Sequence, residues 1–329
     1  VIDFRYHLVS IIAVFFALAA GIVLGAGPLG ETVDDTLADQ TATLRDENRQ
    51  LREDLAQSKA DQEYQERFVD AVTPRLVNGE LEGSNVAVVA LPGAEDETVT
   101  AVRDVLTSAG ATAELTVRIE PSWTDPDSEA VLDELATELV SSGTELPADA
   151  DGFGRGATVL AAALMAPPVE EGSPTGAHET VDTATVTAFE ESELIQLEQD
   201  ASVAPSMAVL IAGSVSGDDA EQRLNRLAGL SARIDAVGQG AVVAGPAAIA
   251  ESGLLSSMRD GDVADDVSTV DSVDLPSGRA AVVFALSEQA SGETGNYGVV
   301  GETDGVLPPV PDTAPTDGAT GSAEGNDAG

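Results

Sequence analysis

The stretch "NVAVVALPGAEDETVTAVRDVLTSAGATAELTVRI", Asn85 to Ile119, decides the fold. Asn85 to Leu91 is a short valine-rich run that reads as a buried strand. Ala94 to Gly110 reads as a helix with an acidic first turn, and Ala111 to Ile119 as the next strand. Strand, helix and strand at this spacing make a βαβ unit, and hence a parallel sheet.

The same alternation continues downstream. Asp127 to Ser142 and Ala157 to Ala166 are predicted helices, Pro167 to Ala177 is a Pro/Gly-rich loop, and Val186 to Glu198 is predicted helical. Ser206 to Gly213 and Gly240 to Pro246 read as strands, with helices over Asp218–Val237, Ala247–Met258 and Ser277–Ala290. These elements predict a doubly wound, Rossmann-like α/β domain over 84–300, either single or in two halves, 84–166 and 205–300. Aromatic residues make up only 3% of the chain, so its cores are built mainly from Ala, Val and Leu.

Upstream lies "LVSIIAVFFALAAGIVLGAG", Leu8 to Gly27, with Ser10 as its only polar side chain. As a helix, 20 residues reach ~30 Å, the thickness of a hydrocarbon core. The run exceeds the ~7 to 15 apolar residues of a secretory signal, and it has no polar face of the kind a core helix shows. It is expected to be an uncleaved transmembrane anchor within residues 1–30. Arg5 and His7 before it and Glu31, Asp34 and Asp35 after it put the N-terminus in the cytoplasm and the bulk of the chain outside. Gly21 and Gly25 form a small-xxx-small pair suited to membrane helix packing.

Residues 31–78 read as a polar helix carrying a heptad seam. With Leu37, Leu44 and Leu51 at d, Asn48 and Leu55 fall at a, Glu47 and Asp54 at g, and Arg52 and Lys59 at e. An Asn at a selects a parallel, in-register pair, and g-to-e′ ion pairs set orientation. A parallel homodimer or a higher homo-oligomer is therefore expected; the alternative is a solvated helix packed on its own domain, since Ser58 and Gln62 spoil the seam. From Glu31 to Val72 a continuous helix would reach on the order of 60 Å. Pro74 and "NGELEGS", Asn78 to Ser84, mark the boundary with the α/β domain. The segment 301–329 is Pro/Gly/Thr-rich and acidic, without a basic residue or periodic apolar positions, and is expected to be disordered.

Fifteen basic against 58 acidic residues give a formal charge of -43, which excludes nucleic acid as a partner through phosphate attraction. Lys59 is the only lysine, and an acidic, lysine-poor surface fits a halophilic proteome kept soluble at high salt. There is no cysteine, which excludes disulfides and thiolate chemistry.

Candidate chemistry is sparse. Pro92-Gly93-Ala94 and Gly245-Pro246-Ala247 follow strands, but they lack the glycine run of a dinucleotide fingerprint and the lysine of a Walker loop. His178 is the one histidine beyond the anchor and lies in a loop, so no hydrolase triad is expected. Glu170-Glu171 and Glu190-Glu191 are unmarked among 58 acids. Copper favours thiolate, thioether and imidazole ligands. Three scattered methionines, Met165, Met207 and Met258, and His178 form no such cluster. The reading is a non-enzyme with no catalytic residues, no cofactor and no metal ligands.

The opening "VIDFRYHLVSIIAVFFALAAGIVLGAG", the helix "LRDENRQLREDL" and the closing "STVDSVDLPSGRAAVVFALSEQASGETGNYG" together resemble the actinobacterial copper transport protein B family, over about residues 1 to 298. The resemblance implies a bacterial envelope protein with one membrane helix, a channel component in copper transport and homeostasis. Corynebacterial relatives imply another role: a coiled-coil scaffold paired with a second membrane protein of the envelope, influencing cell-wall cleavage and cell separation. The resemblance carries no catalytic or metal-binding residue onto this chain.

Overall fold

The computed structural model describes residues 4–25, 29–141, 144–167, 180–261 and 266–309. The chain divides into two compact units, residues 1–65 and 66–329.

In the first unit, α1 (Phe4–Gly25) is an uninterrupted apolar helix with mean hydropathy 2.7 over its most apolar window, and none of its residues is buried. It is long and apolar enough to cross a membrane. The next helix, α2 (Leu29–Leu76), has 48 residues and belongs to both units.

The helix α2 runs through Pro74 to Leu76, and residues 78–84 follow it as turns leading to the α/β strands. Pro74 removes one i→i−4 hydrogen bond and crowds the carbonyl four residues back, and α2 ends two residues later. Within the second unit α2 buries Thr73, and Val77 and Leu81 beyond it are buried too. Asp70 of α2 lies 3.8 Å from Arg279, an exposed carboxylate beside a mostly buried guanidinium.

The α/β unit is one seven-stranded sheet in the order β3-β2-β1-β4-β5-β6-β7, where β1 is Val86–Ala90, β2 Thr116–Ile119, β3 Ile195–Gln199, β4 Met207–Ile211, β5 Ala241–Ala244, β6 Ser268–Val270 and β7 Asn296–Tyr297. All neighbours pair in parallel except β2 with β3. Both expected sets of strands enter this single sheet. Alternate β1 residues face opposite cores: Ala87 and Val89 join one, Val86, Val88 and Ala90 the other. Burial on both faces is why β1 reads as a continuous apolar run.

One face is covered by α3 (Asp96–Ser108) and α9 (Pro276–Gln289). The other carries α4 (Glu129–Leu139), α5 (Gly152–Leu164), α6 (Thr183–Glu191), α7 (Ala220–Val237) and α8 (Leu254–Arg259).

Four sequence expectations need correction. The helix expected over Val186–Glu198 ends at Glu191; Glu193 takes a left-handed turn at φ 57, and Ile195–Gln199 forms the antiparallel edge strand β3. The helix expected over Ala247–Met258 is a 3₁₀ turn, Ala247–Ile249, and then α8, separated at Gly253, where a Cβ would strike the Ile249 carbonyl. The strand expected from Ala111 pairs fully only from Thr116, with an isolated bridge from Thr112 to Asn85. Finally, residues 302–309 are ordered against the sheet: Gly305 bridges Tyr297, and Asp304 donates its N–H to the Asn296 carbonyl at 2.7 Å. The rest of the tail expected to be disordered lies outside the described residues.

Candidate functional site

In a doubly wound sheet, ligands bind outside the carboxyl ends of the strands where the order reverses. Here that point lies between β1 and β4, at Pro92-Gly93-Ala94 and Ala212-Gly213-Ser214. The two loops touch. A Cβ on Gly213 would fall within the backbone of Gly93 and Ala94, and one on Gly93, at φ 83, would stand 2.9 Å from the Ser214 carbonyl oxygen. Backbone fills the place a pyrophosphate would take, so the crevice is closed.

A glycine-rich helix start elsewhere, "DGFGRGA" at Asp151–Ala157, has an equally structural explanation. Asp151 caps α5 by accepting the Gly154 N–H at 2.8 Å. Gly152 and Gly156 leave no room for a Cβ because Glu129 and Leu132 of α4 press against them. These glycines allow close packing of α4 on α5 and form no phosphate cradle.

The densest polar constellation is at the opposite edge of the sheet, built by the closing segment of the sequence. Asp271 follows β6 and is completely buried. Its carboxylate accepts the Val299 N–H at 2.9 and 3.1 Å, the Val300 N–H at 3.0 Å and the Ser272 hydroxyl at 2.7 Å. Arg259 of α8, with its side chain 8% exposed, lies 3.5 Å from the same carboxylate. Its guanidinium also donates to the carbonyls of Val300 at 2.6 Å and Tyr297 at 3.1 Å, and to the Thr269 hydroxyl at 2.8 Å. Burial pulls the Arg259 guanidinium below its ordinary pKa, and Asp271 partly offsets this. The pair is a clamp: the carboxylate holds the Val299 and Val300 N–H groups, and the guanidinium holds the carbonyls of Tyr297 and Val300.

The glycines and Ser272 of this segment follow from the clamp. Gly298, at φ 139, passes so close to the Asp271 carboxylate that no Cβ would fit. Ser272, at φ 64, turns the chain from β6 toward α9, and Gly278 packs its bare Cα on the Ser272 carbonyl. The Ser272 hydroxyl is buried and committed to Asp271, so it is no free nucleophile. Beside the clamp, Tyr297 donates to Glu288 at 2.5 Å, and burial, then that contact, pushes its phenol pKa up.

The residues singled out on the long helices lie on surfaces of the first unit. Gly21 and Gly25 are exposed, with nothing within 4 Å of a Cβ built on either. Leu44, Asn48, Leu51 and Leu55 are exposed, as are Glu47, Arg52, Asp54 and Lys59. Leu37 lies on the α2 backbone, its side chain outside the described residues. Arg49 pairs with Asp46 at 2.9 Å within the helix.

Residues 1–308 match the family described as "Copper transport outer membrane protein, MctB". The chain belongs to this family. Copper transporter MctB of Mycobacterium tuberculosis (strain ATCC 25618 / H37Rv) is 28% identical over 313 residues, covering 90% of this chain and 96% of that protein. Copper transporter MctB of Mycobacterium leprae (strain TN) is 28% identical over 317 residues, covering 91% and 96%.

Against the copper in the family's name, the donor set of the described residues is poor. Met165, Met207 and Met258 are buried, Met207 in the core on one face of the sheet and the other two on the opposite face. No cluster of three or more His, Asp or Glu able to hold a metal occurs among the described residues. His178, Glu170 and Glu171 lie outside them. Glu190 accepts the edge N–H of Leu197 at 3.2 Å, capping β3 rather than forming a paired acid site with Glu191.

Proposed function

We propose that this chain is a membrane-anchored component of envelope copper transport that works by assembling with copies of itself. The exposed leucine seam of α2, directly after an apolar helix of spanning length, carries the proposal. A single helix cannot enclose a pore, so any conducting path belongs to several α1 helices brought together, with Gly21 and Gly25 allowing close approach. The seam residues Leu37, Leu44, Asn48, Leu51 and Leu55 supply a parallel pairing of α2, and Glu47–Arg52′ and Asp54–Lys59′ set its orientation. Each exposed ion pair contributes only ~0.2 to 1 kcal/mol, so the leucines and the shared tether supply most of the association. In this reading the N-terminus is cytoplasmic, residues 1–30 are the anchor, 31–78 the coiled coil, 84–300 the extracytoplasmic domain and 301–329 an acidic tail.

The test uses the absence of native cysteine. Leu44→Cys in membranes should give a covalent dimer on oxidation, whereas Asp46→Cys, on the outer face of the heptad, should not. Equal cross-linking at both positions, or none at either, refutes the assembly. A second reading is favoured by the buried methionines: a non-enzymatic scaffold that binds an envelope partner and influences cell separation. A deletion strain that separates abnormally at unchanged copper sensitivity would select it.

A further inference from the structure

At the β7 edge the loop 298–301 and the segment 304–307 run side by side, the Gly298 N–H donating to the Gly305 carbonyl at 2.9 Å. Val299 is 70% exposed and Val306 65% exposed, and Leu307, next in sequence to Val306, is exposed too. These side chains add nothing to the core. The backbone presenting Val299 is nevertheless held by the Asp271–Arg259 clamp beneath, and the segment leading to Val306 and Leu307 is tied to it by the Gly298–Gly305 and Asp304–Asn296 hydrogen bonds; a display fixed in advance lowers the ordering cost of binding.

The surroundings specify what would bind. On one side of Asp304 a groove of 740 Å³ is lined by Glu288, Glu293 and Asp304; on the other, one of 790 Å³ is lined by Glu251, Asp260, Glu302 and Asp304. The guanidinium in the second groove, that of Arg259, is engaged by the loop carbonyls. An apolar centre with a charged rim is the anatomy of a protein interface, and charge complementarity selects the partner. Pro308 and Pro309 close the segment, which stops further strand pairing and leaves side-chain docking.

We propose that Val299, Val306 and Leu307 form a docking surface for a different envelope protein, one whose contact segment carries apolar residues flanked by Lys or Arg. A second copy of this chain is a poor occupant: with 15 basic against 58 acidic residues and a formal charge of -43, it would mostly set carboxylates against carboxylates. The inference deepens the scaffold reading and rests on it for the existence of a partner. It uses no residue of the α2 seam.

The experiment places a photoreactive benzoylphenylalanine at Val299 or Val306 of the full chain in its native membrane, with Glu138 on α4 as control position. Expected are adducts from positions 299 and 306 with another protein, joined through a peptide rich in Lys or Arg. Glu293→Lys together with Glu302→Lys should lower the yield at least fivefold. Emission of Trp123, the only tryptophan, checks that the variant folds; Glu293→Gln with Glu302→Gln is the milder pair if it does not. Adducts only with a second copy, a net-acidic cross-linked peptide, equal yield at Glu138, an unchanged yield on charge reversal, or no adduct would each overturn the proposal. Adducts retained while the Leu44→Cys cross-link fails would sink the dimer and leave the docking surface standing. The opposite pattern would sink the docking surface alone.

Discussion

Replacing Asp271 tests whether the β7 edge depends on the buried clamp. Asp271→Ala leaves the Val299 and Val300 N–H groups without their acceptor and the 8%-exposed Arg259 without its counter-charge. Val299 sits in an exposed loop, so water can reach these amides, and each loss falls near the low end of the ~1 to 3 kcal/mol for an unsatisfied group. Stranding a buried guanidinium costs about 3 to 5 kcal/mol where the partner was close. Here the separation is 3.5 Å, and Arg259 keeps three other acceptors, so the lower end applies. Together Asp271→Ala should cost roughly 4 to 5 kcal/mol. Asp271→Asn keeps the volume and one acceptor oxygen and should cost about half as much. Urea titration of the full chain in detergent, followed by the emission of buried Trp123, measures both. Amide exchange at Val299 and Val300 should accelerate first. A loss under ~1 kcal/mol for Asp271→Ala, or none for Asp271→Asn, would refute the clamp.

Two further substitutions probe the sheet. Gly213→Ala drives a methyl into the Gly93 backbone and should destabilise by about 1 to 3 kcal/mol in the same titration, whereas an open nucleotide crevice would accept the methyl without loss. Asp235, at the end of α7, accepts the Ala241 N–H at 2.7 Å; burial, and to a lesser degree Asp266, raises its pKa from 3.8 to about 6. Because the folded state holds this proton more tightly than the unfolded chain, the group's stabilising contribution is complete below about pH 4 and is lost as pH rises through about 6. Asp235→Asn keeps the acceptor and should therefore raise stability at pH 7.5 relative to the parent, by about 1 to 2 kcal/mol once solvent screening of this partly exposed group is allowed for, with the gain vanishing at pH 4. An equal effect at both values would refute the assignment.

The sequence reveals those parts of the fold whose signal is local. The β1, β4 and β5 strands are buried on both faces and appear as unbroken apolar runs, and α1 is apolar throughout. By contrast, β3 carries polar residues in alternation, Gln196 and Glu198 between Ile195 and Leu197, directly after a helix. That period of two was its available signal. The short strands β6 and β7, of three and two residues, leave almost no pattern. The clamp was out of reach for another reason. Arg259 and Asp271 are 12 positions apart, and Asp271 and Val299 are 28 apart, and no spacing rule joins residues brought together only by the sheet.

The switch point shows why a fold that commonly binds nucleotides need not do so. The strand order around β1 and β4 is the one that ordinarily opens a crevice, but each loop there carries a single glycine, Gly93 or Gly213, and not a phosphate-binding run. In this chain those glycines admit each other: the bare Cα of Gly213 lies against Gly93, and the space is filled. Glycine at a strand end therefore specifies close approach without specifying what approaches. The surfaces left for recognition are those the core does not need: the leucine face of α2, and the valines held at the far edge of the sheet. In the proposed reading both meet other proteins, which is where a chain without cysteine, and with its described methionines buried, can still act.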